Sequence, residues 1–150
     1  MSGDRQPFPL LQTEFNEQQA QFSPDGKWIV YTSDESGAPE VYAQTFPTTG
    51  SKWRVSTGGG CQPKWRRDGK ELFYIAADRK LMAVDVMLGA TFEAGVPKAL
   101  FGTRIFSLTD FRNHYVATAD GQRFLISSTI EETDANPMSI VVNWSADLKR

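Results

Sequence analysis

The chain has 150 residues, a length that fits one domain, and its 40% hydrophobic and 23% charged residues are typical of a globular protein. The formal net charge of −2 and the pI near 5.4 give no basic surplus, which argues against nucleic-acid binding and against an anionic membrane surface. No apolar run approaches the roughly 18 residues of a membrane span. The single cysteine, Cys61, excludes an internal disulfide and a multi-thiolate metal site.

The start of the chain lacks the features of a secretory signal. Residues 1–6 contain no basic start followed by an apolar stretch. We therefore expect a cytoplasmic protein by default, and an extracytoplasmic one if the chain belongs to a receptor-type parent. One cysteine does not decide the redox compartment.

Residues 7–12 form a short apolar segment that begins Pro-Phe-Pro-Leu-Leu. Proline is tolerated in an edge strand but not in a central one. The segment precedes an aromatic turn unit in the same way as residues 53–57 do. We therefore predict an outer strand over residues 7–12.

The first complete repeat is predicted over residues 17–57. Its first hairpin turns at Asp25-Gly26, where Pro24 presets φ and Gly26 accepts a positive φ. The segment that follows the second hairpin alternates with period two, as a strand does. The four strands of this repeat are predicted over residues 18–22, 28–33, 40–46 and 53–57.

The Asp-Gly turn recurs twice, so that Gly26, Gly69 and Gly121 are spaced 43 and 52 residues apart. A repeat of about 43 residues is in the range of one four-stranded propeller blade. Two further repeats are predicted over residues 61–101 and 112–144. The third stops short, because little chain remains for a fourth strand.

No window of 11 or more residues has the apolar stripe of a surface helix. The predicted fold is all-β: a partial β-propeller with two full four-stranded blades, an incomplete third blade and an N-terminal outer strand, in a single domain over residues 1–150. Strand alternation places Ile29 and Tyr31 on one face and Trp28 and Val30 on the other. Since both faces are apolar, we expect the blades to stack.

The run from Ser23 to Trp28, followed by Tyr31, resembles the repeat signature of TolB-like β-propellers. Residues 59–74 are similar to the closing repeats of propellers attached to bacterial serine/threonine protein kinases. The likeness extends from about residue 7 to residue 144 and implies an accessory module for sensing or protein contact. It departs from the family at Arg67 and Ala119, where the first repeat has proline. The chain has no kinase catalytic signature, so phosphotransfer is not implied.

Families of this kind form rings of about six or more blades, whereas this chain has between two and three. An open arc leaves two blade faces in water. If each exposes about 400 Å² of apolar surface, covering one is worth roughly 10 kcal/mol at most. We therefore predict a homodimer of two half-rings, in which residues 7–12 of each chain supply the missing outer strand of the partner's last blade.

Polar groups on the first strand of each repeat are candidate binding residues, because this strand lines the central channel of a propeller. These residues are Gln21, Lys64, Arg66 and His114. Together they predict a mildly basic channel mouth that suits an acidic peptide or a small anion.

Other chemical motifs are better explained by structure. Asp25, Asp68 and Asp120 are interpreted as turn residues with Gly26, Gly69 and Gly121, because an aspartate before glycine hydrogen-bonds its own backbone. The glycines at 58–60 are interpreted as a connector, and the four tryptophans as blade packing.

His114 is the only histidine, and it has neither a spaced metal-binding companion nor a G-x-S-x-G nucleophile elbow. The sequence therefore predicts no catalytic residue, no metal and no cofactor. The leading hypothesis is a non-catalytic module for protein interaction or sensing. The alternative is a hydrolase or lyase that uses the central channel of the assembled propeller.

Overall fold

The computed structural model describes residues 6–108, 110 and 112–129, and the backbone of residues 138–142. These residues form twelve β-strands in three separate antiparallel sheets and contain no helix. Among them there is accordingly no helix able to cross a membrane. The predicted all-β class is confirmed, and each sheet corresponds to one blade.

Blade 1 is a four-stranded meander in which each strand pairs with the next. Its strands are β1 (Glu17–Phe22), β2 (Trp28–Ser33), β3 (Glu40–Thr45) and β4 (Lys52–Arg54). The register pairs Tyr31 with Tyr42 and Val30 with Ala43. Paired residues of neighbouring strands therefore place their side chains next to each other on the same face of the sheet.

Blade 2 repeats this meander and adds a fifth, short strand. Its strands are β5 (Gly60–Trp65), β6 (Glu71–Ala76), β7 (Lys80–Leu88), β8 (Phe92–Ala94) and β9 (Lys98–Gly102). β7 is long enough to pair with β8 at its C-terminal end and with β9 at its N-terminal end. Phe92 of β8 is thereby buried against the core, at 4% exposure.

Blade 3 has three strands among the described residues. They are β10 (Tyr115–Ala117), β11 (Arg123–Ser127) and β12 (Met138–Val142), in the order β10-β11-β12. Residues 143–144, which close the predicted third repeat, and Trp144 with them, lie outside the described residues.

The blades stack face to face, as strand alternation predicts. We call the face that carries Ile29 and Tyr31 the front face of blade 1, and the opposite face, with Trp28 and Val30, its rear face. The rear face of blade 1 packs against Leu72 and Tyr74 on the front face of blade 2. The rear face of blade 2 packs in turn against the front face of blade 3. This second contact includes Phe73, Ile75, Tyr115, Phe124 and Ile126.

The three Asp-Gly turns have the same backbone conformation. Gly26, Gly69 and Gly121 all have φ of 71°. In each turn the aspartate carboxylate accepts the backbone N–H two residues later, at 3.0 to 3.1 Å. The absence of proline at Arg67 and Ala119 therefore does not change the turn, because the aspartate and the glycine alone determine it.

The predicted outer strand over residues 7–12 is wrong for the single chain. Residues 6–16 form no strand, and we call them the N-terminal strap. Instead of pairing with a sheet edge, Leu10 and Leu11 pack across the front face of blade 1. The physical reason is burial, since that face carries large apolar side chains and no other sheet of the described residues covers it.

Candidate functional site

The first strands of blades 1 and 2 contain a bulge at equivalent positions. The register with the next strand shifts between Gln18 and Gln21 in β1, and between Cys61 and Lys64 in β5. Within each bulge lies a glutamine in the left-handed region, Gln19 with φ of 58° and Gln62 with φ of 57°. Such a conformation costs on the order of 1–3 kcal/mol for a residue other than glycine. The surrounding contacts must therefore hold both glutamines in place.

These contacts are side-chain hydrogen bonds that run from one blade to the next. The Oε1 atom of Gln19 accepts the backbone N–H of Gln62 at 2.8 Å. In the same way, the Oε1 atom of Gln62 accepts the backbone N–H of His114 at 2.7 Å. Each bulge thus presents an acceptor to the blade that follows it. We call Gln19, Gln62 and His114 the bulge ladder.

The orientation of the Gln62 amide fixes the tautomer of His114. Because its Oε1 atom accepts a backbone N–H, its Nε2 atom must be the donor toward the Nδ1 atom of His114, 2.9 Å away. Nδ1 is therefore unprotonated and Nε2 carries the proton. That Nε2 atom lies 3.3 Å from Oδ2 of Asp110. Both ring nitrogens of His114 thus face groups of the same chain.

The described part of the segment between β9 and the ladder residue His114, residues 103–108, 110 and 112–113, closes over the ladder, and we call it the connector. The Nε2 atom of Gln19 reaches the carbonyl oxygens of Asp110 and Arg112, at 3.4 and 3.2 Å. Ile105 anchors the connector in the core between blades 2 and 3 and is fully buried. The connector therefore ties blade 1 to blade 3 across the first strand of blade 2.

The structure does not bring the four predicted binding residues together. Gln21 lies opposite Val30, on the face that blade 1 turns toward blade 2. Lys64 lies opposite Phe73, on the face that blade 2 turns toward blade 3. Burial lowers the pKa of the Lys64 ammonium group. Gln21 and Lys64 therefore sit at blade interfaces, and only His114 joins the ladder.

Arg66 holds the turn of its own blade. Its guanidinium group donates to both carboxylate oxygens of Asp68, at 2.8 and 2.9 Å, and to Glu71 at 2.7 Å. The hydrogen bond from Arg66 is the main cause that lowers the pKa of Asp68 to about 2. In the other two blades a hydroxyl group occupies this position, from Ser23 and Thr118, and also binds the turn aspartate. Arg66 is thus a structural partner of the turn.

Sequence reasoning missed Gln19 and Gln62, although a signal for both is present. Gln19, Gln62 and His114 each stand seven residues before the glycine of the turn that follows. A polar side chain at one register position of three repeats indicates a shared role. Gln21 is a candidate because it is a polar group on the first strand of its repeat, but the bulge places Gln19 at the hydrogen bond to blade 2.

A small apolar cavity lies beside the ladder, where the connector covers the junction of blades 1 and 2. Its volume is about 200 Å³. The residues that line it are Ala38, Pro39, Gly58, Gly59, Gly60, Cys61, Ile75, Ala77 and Leu108. Burial raises the pKa of the Cys61 thiol to about 12, so that it is protonated and a poor nucleophile at neutral pH. The glycines at 58–60 connect the two blades here, as the sequence predicts.

Within the part of the chain that the structure describes, no group of three or more His, Cys, Asp and Glu side chains is placed to hold a metal ion. The arrangement at the ladder instead offers hydrogen-bond donors and acceptors that are largely used within the chain. Its chemistry is that of joining blades.

Comparison with known proteins gives structural matches only. No protein-family model matches the chain, and no curated protein matches it. Among solved structures, it is similar to TolB from Acinetobacter baumannii, with a TM-score of 0.59 and 21% identity over 83% of this chain and 29% of that one. It is also similar to an oligogalacturonate lyase from Vibrio parahaemolyticus, with a TM-score of 0.56 and 19% identity over 78% of this chain and 31% of that one.

A third similar structure is an oligogalacturonate lyase in complex with manganese, with a TM-score of 0.51 and 20% identity over 70% of this chain and 26% of that one. This chain therefore spans about a third of the length of the solved structures that it matches. These three structures do not include a kinase-attached propeller, so that finer resemblance stays a prediction. At these identities the likeness concerns architecture alone. The chain has the fold of a TolB-like β-propeller, of which its three sheets form a part.

Proposed function

We propose that this chain is a non-catalytic propeller module that binds protein, and that it completes its ring by associating with a second copy of itself. The observation that carries the proposal is the rear face of blade 3. Val116 on this face is 53% exposed. It is paired with Leu125, and the equivalent residues of blade 2, Lys64 and Phe73, are covered by blade 3. This face has the position of a blade interface in the repeat, and no further blade covers it among the described residues.

Coverage of the structural relatives supports the same proposal. Three blades account for about a third of the length of those proteins, so a closed ring needs additional blades from outside these 150 residues. A second copy offers blades of matching twist and spacing, since they are made from the same repeat. A sensing role in a larger receptor, as the kinase-linked resemblance implies, would use the same interface with a different neighbour.

Catalysis in the channel is the alternative. The nearest arrangement to an acid–base pair is Asp110 with His114, at 3.3 Å. A general base must have a free nitrogen within reach of the proton that it removes. The Nδ1 atom of His114 accepts a hydrogen bond from Gln62, and its Nε2 atom faces Asp110. We therefore favour protein binding as the function of this chain.

Sedimentation equilibrium of the 150-residue chain tests the proposal. We expect reversible dimerisation at micromolar concentration, and we expect Val116→Asp to weaken it at least about tenfold, because a charge is then buried at the interface. Val96→Asp is the matched control, since Val96 is 80% exposed in the loop between β8 and β9, away from both end faces. A chain that stays monomeric throughout, or an equal effect of both substitutions, contradicts the proposal.

A further inference from the structure

We infer that the N-terminal strap is an intramolecular cap, which competes with a second copy of the chain for the front face of blade 1. The inference rests on the proposed function, because it names the surface that self-association uses and what controls access to it. Its partner surface is the rear face of blade 3 in the other copy.

The front face of blade 1 is built like an interface between blades. Ile29 and Tyr31 are equivalent, 43 residues earlier, to Leu72 and Tyr74. In blade 2 those two residues are buried against the rear face of blade 1. The front face of blade 1 therefore has the chemistry to receive a rear face of the same repeat type. Among the described residues no blade precedes it.

The strap now occupies that position. Ile29 and Tyr31 are each 2% exposed and Tyr42 is 5% exposed, and the side chains that pack against them are Leu10 and Leu11 of the strap and Phe46, which follows β3. Desolvation in this environment raises the pKa of Tyr31 to about 12. Two leucines of the strap thus cover part of the front face of blade 1, in the position where blade 1 itself covers the front face of blade 2.

The attachment of the strap is suited to release. Residues 6–16 belong to no strand. The strap is fastened near its C-terminal end, where Asn16 donates from its backbone and its side chain to the carboxylate of Asp34, at 3.0 and 2.6 Å. Two further aromatic side chains point outward, Phe8 at 70% and Phe15 at 40% exposure. The segment before Asn16 can therefore leave the sheet without breaking a ladder of strand hydrogen bonds.

The rear face of blade 3 fits the uncovered surface. Leu125 is equivalent to Phe73 of blade 2, 52 residues earlier, and Phe73 packs on the front of the next blade, 5.0 Å from Phe124 between ring centroids. Two copies could thus meet twice, with the rear of each blade 3 on the front of the other blade 1. This arrangement is closed, so association stops at the dimer and does not continue into a fibre.

The test removes the cap with the double substitution Leu10→Asp and Leu11→Asp in the full 150-residue chain. Phe8→Asp is the matched control, since it adds a charge to the same strap at an exposed position. Two measurements are made: nitration of individual tyrosines, followed by mass spectrometry on monomeric samples, and sedimentation equilibrium. Tyr74, which is 2% exposed between blades 1 and 2, reports whether the fold is intact.

We expect nitration of Tyr31 and Tyr42 to rise at least about tenfold in the double variant while Tyr74 stays protected. We also expect its dimer dissociation constant to fall at least about tenfold, with no change in the control. Adding Val116→Asp to the double variant should cancel this tighter association.

Two outcomes overturn the inference, and they can be told apart. If the wild-type chain dimerises and the double variant dimerises equally or more weakly, the strap does not compete and the proposed function stands. If neither chain associates although Tyr31 becomes accessible, the proposed self-association fails as well. Loss of Tyr74 protection calls for the milder pair Leu10→Ala and Leu11→Ala, judged by the same criteria.

Discussion

Replacing Gln62 by alanine should weaken the contact between blades 2 and 3 and thereby lower the free energy of unfolding. The side chain is fully buried and makes two hydrogen bonds to His114, at 2.7 and 2.9 Å. Each is worth about 1 kcal/mol net, and a buried N–H that loses its acceptor adds about 1–3 kcal/mol. The free energy of unfolding should therefore fall by about 2–4 kcal/mol, a large fraction of the stability of a domain of this size.

Equilibrium unfolding in urea, followed by tryptophan fluorescence, measures this loss. Gln122→Ala is the control, because the Gln122 side chain is exposed and its removal should change the stability by no more than about 0.5 kcal/mol. Gln62→Gly removes the same hydrogen bonds but relieves the backbone, whose φ is 57°. It should thus be about 1 kcal/mol more stable than Gln62→Ala. A loss below about 1 kcal/mol for Gln62→Ala would refute the role of the ladder.

Two further predictions concern the turns. Gly121→Ala should lower the free energy of unfolding by about 1–3 kcal/mol more than Gly26→Ala does. Both glycines have φ of 71°, but a Cβ at Gly121 would lie 2.8 Å from the ring of Phe73, whereas one at Gly26 meets nothing within 4 Å. Equal losses in urea unfolding would contradict this prediction. The pKa of Asp68 is lowered from 3.8 to about 2 in the folded chain, so its ionised form stabilises the fold above pH 4 and this contribution disappears as the pH falls toward 2. Asp68→Asn should therefore flatten the dependence of stability on pH within this window, and acid unfolding with an unchanged slope would count against it.

Local chemistry explains what could be predicted from the sequence. The turn at Asp25-Gly26 needs only an aspartate carboxylate and a residue that tolerates positive φ, and both are visible in four residues. The same holds for strand alternation, which placed Ile29 and Val30 on opposite faces. The order of strands and the stacking of blades followed from repeating these local units.

The bulge ladder depends on contacts that are distant in the sequence. Gln19 and Gln62 adopt a left-handed backbone because a partner 43 or 52 residues later stabilises it. No local rule predicts this conformation for glutamine, so the sequence of β1 alone does not distinguish Gln19 from the other polar residues of that strand. In the sequence, the shared role of the ladder residues is indicated only by their equal spacing before the glycine of each turn.

The position of the strap also depends on contacts that the sequence pattern does not show. Residues 7–12 have the composition of an edge strand, and composition does not say whether a sheet edge or a sheet face is the nearer apolar surface. Leu10 and Leu11 lie by the face of blade 1. Whether the segment packs on a sheet edge or on a sheet face depends on which apolar surface is still exposed once the three sheets have formed.

The bulge ladder also has an evolutionary meaning. The middle repeat contributes both a backbone donor to the repeat before it and an amide acceptor to the repeat after it, at Gln62. A copied gene segment of this kind therefore encodes the two halves of the contact between blades. Lengthening or shortening such an arc by whole repeats would need no newly invented contact at the seam. The Oε1 atom of Gln62 accepts the backbone N–H of His114. His114 stands at the register position that glutamine occupies in the first two repeats, so the third repeat has a different side chain there.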